Sequence, residues 1–84
     1  MSVQRLVYMA NQIATFFAAE AKDKAAAATA DHLSKFWDPR MRKQIIAHYH
    51  AGGAGLSDLA RAGVALLEQA PAAAPTIGGQ MSSG

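Results

Sequence analysis

Apolar residues near the start of the chain recur every three or four positions, and no stretch of the sequence alternates strictly. Val3, Leu6, Ala10, Ile13 and Phe17 form one stripe, widened by Val7, Met9, Ala14 and Phe16. That is the 3.6-residue period of a helix with one apolar side. Gln4, Arg5, Gln12 and Thr15 take mainly the other side, and Ser2 stands where an N-cap belongs. The spacing predicts a helix over 3–20. Ala is too frequent here for a good strand.

The remaining punctuation divides the chain into more helices. Asp23 is the expected N-cap of a second helix through "KAAAATADHLSKFW", whose early turns carry mostly Ala and whose bulk comes late, at Leu33, Phe36 and Trp37. Asp38-Pro39 ends it. Proline disfavours helical geometry in the preceding residue and itself suits the first helical position, where Asp38 can cap a free N–H. A third helix therefore starts at Pro39, with Met41, Ile45 and Tyr49 on one face, and Gly52 or Gly53 supplies the left-handed residue that stops it. Ser57 caps a fourth helix with Leu59, Gly63, Leu66 and Leu67 as its apolar stripe. The composition of 70–84, rich in Pro, Gly and Ala and without charge, reads as a disordered tail. The expected fold is all-α: a small bundle of three to four short helices over 2–69, followed by the tail 70–84.

With 84 residues and no Cys, such a domain has no disulfide to staple it and only a small core. Homo-oligomerisation is credible, because the apolar stripes exceed what four short helices bury. No apolar run approaches the roughly 18 residues of a membrane span. Gln4 and Arg5 lead into an amphipathic stretch, unlike a signal peptide. The expectation is a soluble cytoplasmic protein.

The distinctive side chains crowd into His32–Gly53, which holds the only Trp, all three His and four of the eight Lys and Arg. His48 and His50 are two apart and diverge by about 200° on a helix, and no carboxylate cluster completes a metal site with them. Nothing orients Ser57 and a His as a nucleophile and base. "AGGAGLSD" follows a helix and lacks the Lys-Ser/Thr of a phosphate loop. No catalytic, cofactor-binding or metal-ligating residue is therefore assigned. Lys35, Arg40, Arg42 and Lys43 against Asp38 alone make this the basic part of a chain of net charge +2. Four cations without a basic tail or interleaved aromatics disfavour nucleic acid. Cations at the start of a helix oppose its dipole, which points to an acidic protein partner. Trp and Arg are also enriched where partners bind. Adjacent aromatics on a helix point about 100° apart, so Phe36 is expected inward and Trp37 at the edge.

Three blocks of the chain resemble the delta subunit of soluble NAD-dependent formate dehydrogenases. They are Arg-Leu-Val-x-Met-Ala-Asn-Gln-Ile at Arg5–Ile13, Phe-Trp-Asp-Pro-Arg-Met-Arg at Phe36–Arg42, and Ala-Gly-Gly-x-Gly-Leu at Ala51–Leu56. The likeness covers 3–67, and the Ala-rich run and the tail lie outside its blocks. It implies an accessory subunit of a complex that oxidises formate to carbon dioxide and reduces NAD. The complex's molybdopterin-bound molybdenum or tungsten, iron–sulfur clusters and FMN would sit in larger subunits. The expected role is non-catalytic docking to the large catalytic subunit, stabilising it or helping it reach the cofactor-loaded state. Trp37, Arg40, Arg42 and Lys43 are the expected contacts, presented by the junction residues Asp38, Pro39, Gly52 and Gly53. A transient maturation factor, or a small nucleic-acid-binding or self-associating regulator, is the alternative.

Overall fold

The computed structural model describes residues 2–69, so the expected tail at 70–84 lies outside the described residues. Four helices follow in order: α1 (Val3–Phe17), α2 (Lys22–Phe36), α3 (Pro39–His50) and α4 (Asp58–Gln69). No strand occurs among the described residues. The chain is all-α, and none of these helices is long and apolar enough to cross a membrane.

Each helix start has its own chemistry. Ser2 Oγ accepts from the Arg5 N–H at 3.2 Å. Asp38 Oδ1 accepts from the Met41 N–H at 2.9 Å, with Pro39 opening α3. Ser57 Oγ accepts from the Ala60 N–H at 3.2 Å. The start of α2 departs from expectation. Ala21, not Asp23, is the cap residue, and no side chain bonds there. Asp23 instead lies inside the first turn, where its charge complements the helix dipole. The end of α1 also falls short of the expected residue 20, because Ala18–Ala21 are needed to turn the chain back.

The core takes one completely buried large side chain from each helix: Leu6, Leu33, Ile45 and Val64. The α1 stripe that reaches it is Leu6, Val7, Ala10 and Ala14. Ile13 and Met9 sit at its margin. In α4, Ala60, Gly63, Val64 and Leu67 face inward, while Leu59 and Leu66 are only partly covered. Of the expected α4 stripe Gly63 and Leu67 are buried, while Ala60 and Val64 take the places expected of Leu59 and Leu66. Small residues explain the exchange, since Ala60 and Gly63 let α4 approach α2 closely.

That approach is the closest backbone-to-backbone packing between helices of the fold. Ala25, Ala26 and Ala30 present little bulk on α2. Thr29 is fully buried with its hydroxyl donating to the Ala25 carbonyl at 2.8 Å. Gly63 packs directly over it: a Cβ on Gly63 would lie 2.6 Å from Thr29 Cγ2. The Ala-rich run, volume-poor as sequence, is the surface that admits a neighbouring backbone.

Candidate interaction surface and the junctions that build it

Trp37 lies where α2 stops. Its N–H still donates to the Leu33 carbonyl at 3.1 Å, so its side chain keeps the helical register, and its extended backbone (φ −92°, ψ 137°) redirects only the chain beyond it. The indole continues inward the buried stripe of Ala26, Ala30 and Leu33. Trp37 is 4% exposed and Phe36 is 72% exposed, the reverse of the expected arrangement. Pro39 disfavours helical geometry at Asp38, which is extended, and so separates α2 from α3.

Arg42 was expected to face a partner, and it is occupied within the chain. Its guanidinium donates to the Trp37 carbonyl and, at 3.4 Å, to the Ser34 carbonyl. A cation that opposes the α3 dipole from near its start thus complements the C-terminal end of α2. Lys35 pairs with Asp31 at 3.1 Å, both well exposed. Arg40 and Lys43 lie beside Asp38 and Pro39 on the open surface, and neither meets a carboxylate among the described residues.

The glycine turn is built by α3 and clamped by α1. The Gly53 N–H donates to the His48 carbonyl at 2.8 Å and the Gly52 N–H to the Tyr49 carbonyl at 3.1 Å, the paired bonds of a Schellman ending. Gly53 takes a left-handed φ of 64°. Arg61 reaches back from α4 to the Gly52 and Gly53 carbonyls at 3.0 and 3.2 Å. From the other side, Asn11 donates to the Gly55 carbonyl and accepts from the Ser57 N–H, both at 2.9 Å. The first and third sequence blocks are thereby joined across 44 residues. Nothing in the local spacing of Asn11 indicates this; only its place beside the core-facing Ala10 puts it over the turn.

The three histidines go to separate places. His48 Nε2 lies 2.8 Å from the Ala54 carbonyl, His50 Nε2 lies 2.5 Å from Glu68 Oε2, and the His32 ring stacks at 4.6 Å on Phe36. Among the described residues no three His, Asp or Glu gather around a point. The sequence has no Cys, so it offers no thiolate for an iron–sulfur cluster.

What does gather is an aromatic surface on the outer side of α1 and α2. Phe17 lies 6.5 Å from His32, and Tyr8 and Met9 share a groove with Phe36 and Trp37, so the two helices run antiparallel. Tyr8 is 62% exposed and Phe16 78% exposed; with Phe36 they place three large apolar side chains on the surface. Sequence reasoning missed Tyr8, Phe16 and His32 here. Tyr8, Gln12 and Phe16 do recur at a spacing of four, and that regularity was the available signal.

Fold and surface together define a small all-α protein whose distinctive feature is an apolar, aromatic groove beside free cations. The family model described as NADH-dependent formate dehydrogenase delta subunit FdsD matches residues 5–64, and the chain belongs to that family. No curated protein and no solved structure gives a significant match. The matched span includes the Asn11 clamp, the α2–α3 junction and the glycine turn, so much of the recognisable sequence serves the architecture.

Proposed function

We propose that this chain is a non-catalytic accessory subunit of a formate dehydrogenase complex, docking to the large catalytic subunit through the outer face of α1 and α2. Docking stabilises the large subunit or helps it reach its cofactor-loaded state. The metal–pterin, iron–sulfur and flavin groups of such a complex are held by its other subunits. The observation that carries this reading is the exposure of Tyr8, Phe16 and Phe36 on one side of a domain this small. Large apolar patches left open to water mark surfaces that a partner covers.

The residues assigned to contact change accordingly. Phe36 replaces Trp37, which supports the groove from below, and Arg42 leaves the set because α2 uses it. Arg40 and Lys43 remain. The reading is tested by tagging the full chain in its native host, identifying co-eluting proteins by mass spectrometry and assaying formate-dependent NAD reduction. Large subunits eluting in fixed proportion with activity support it. Their appearance only in a sub-stoichiometric, cofactor-poor fraction would replace it with a maturation role. The absence of both partners and activity would overturn it.

A further inference from the structure

The groove between α1 and α2 has unlike ends and walls that restrict what fits it. Met9, Ile13, Trp37 and Met41 lie along it between Tyr8 and Gln12 on one side and His32 and Phe36 on the other, and it continues past Ile13 to Phe16 and Phe17. From Tyr8 to Phe16 the α1 wall runs about 12 Å at 1.5 Å per residue, slightly over two helical turns. The α1 wall is helix interior, and where α2 ends the Trp37 carbonyl is taken by Arg42 and the Met41 N–H by Asp38. Gln12 Nε2 on the α1 wall donates to Tyr8 Oη at 2.7 Å. An extended strand laid along the α1 wall would find no row of backbone partners, whereas a helix brings its backbone already bonded.

Charge sets the orientation. No carboxylate lines the groove. Arg40 and Lys43 lie next to Asp38 and Pro39, off the end marked by Trp37 and Met41. Arg5 precedes Tyr8 by three residues on the same helix face. Asp38 offsets one of these charges, and its carboxylate is directed at the Met41 N–H. None of the three cations has an acidic partner among the described residues. At the far end Glu20 and Asp23 are balanced by Lys22 and Lys24. A second copy laid antiparallel would therefore bring no net negative charge to the cationic end.

We propose that this groove receives an amphipathic helix of the partner subunit. That helix presents apolar side chains at i, i+3 or i+4 and i+7, and carries Asp or Glu at the end meeting Arg5, Arg40 and Lys43. The inference rests on the docking reading above and adds the class of segment that docks and its polarity.

The test uses the full chain in the assembled complex. A photoreactive phenylalanine analogue is placed at position 8 or 36 and its cross-links are mapped by mass spectrometry. The expected cross-links fall at helical spacing within one segment of a large subunit, with acidic residues toward one end. Two variants are measured beside it, each checked by circular dichroism for an unchanged thermal midpoint. Phe36→Asp is expected to lower affinity for the large subunit at least about thirtyfold, the scale of a central interface residue. The double variant Arg40→Glu, Lys43→Glu is expected to weaken binding and to flatten its salt dependence. A complex that forms normally with no cross-link from either position overturns the groove assignment and leaves the docking reading intact. Cross-links to another copy of this chain, or a regular alternation of two residues within the captured segment, overturn it as well. Failure of the unaltered tagged chain to retain any large subunit would instead remove the docking reading itself.

Discussion

Asn11 closes two backbone groups of the glycine turn with one amide, donating to Gly55 and accepting from the start of α4 at Ser57. Asn11→Ala would hand those exposed groups to water, and a drop in unfolding free energy of about 0.5–1.5 kcal/mol is expected from urea denaturation. Asn11→Asp keeps the acceptor and loses the donor, so it should fall between. Arg42 also acts at single-residue scale. Arg42→Ala removes a charged donor from the last carbonyls of α2, with an expected cost of about 1.5–3 kcal/mol by the same measurement. Neighbouring aromatics separate structure from surface: Trp37→Ala is expected to cost about 3–5 kcal/mol and Phe36→Ala within about 0.5 kcal/mol of nothing. The motif made Phe36-Trp37-Asp38-Pro39 conspicuous, yet helical periodicity admits either ring beside buried Leu33, Phe36 three residues on or Trp37 four, and the packing of α2 selects Trp37.

Among the helices, α2 and α4 show how small residues act together. Replacing glycine by alanine inside a helix ordinarily stabilises by up to about 1 kcal/mol. Gly63→Ala is expected to have the opposite sign, because its Cβ would lie 2.6 Å from Thr29 Cγ2 and 2.9 Å from Thr29 Cβ. A loss of about 1–3 kcal/mol in a denaturant melt is the expected scale of such overpacking. Adding Thr29→Ser removes only the nearer atom and should recover part of it. The helices themselves were legible, since Ser2, Asp38 and Ser57 announce three of the four starts and Gly52-Gly53 one of the ends. Their rotation was less so. In α4 both the Leu59/Leu66 side and the Ala60/Val64 side are apolar, so the pattern alone does not select which packs; the Ala-rich face of α2 selects it.

As a whole molecule, the domain closes on four large side chains, one per helix, with alanines filling much of the rest. A core of this kind in so short a chain leaves little stability in reserve, and the exposed aromatics make a partner the natural complement. Binding confined to the folded state should raise stability by about 2.7 kcal/mol when free partner reaches 100 times its dissociation constant. A thermal scan of the chain with and without the large subunit checks this, with about 4–8 °C expected per kcal/mol in a domain of this size. No rise at saturating partner would show that the partner does not stabilise the folded chain.

By itself the sequence determined the all-helical class, the caps and breaks that separate the helices, and the three motif blocks of the delta-subunit family. These depend on short-range chemistry: a period of 3.6, a side-chain oxygen beside a free N–H, a proline that excludes helix before it, a glycine that tolerates positive φ. The tertiary structure alone decided that Trp37 turns in while Phe36 turns out, and that Arg42 serves α2. It also decided that Asn11 holds a turn far along the chain, and that Tyr8 and Phe16 join Phe36 on one surface. Each of those outcomes depends on which helix faces lie opposite one another, a relation between residues distant in sequence that no local pattern encodes.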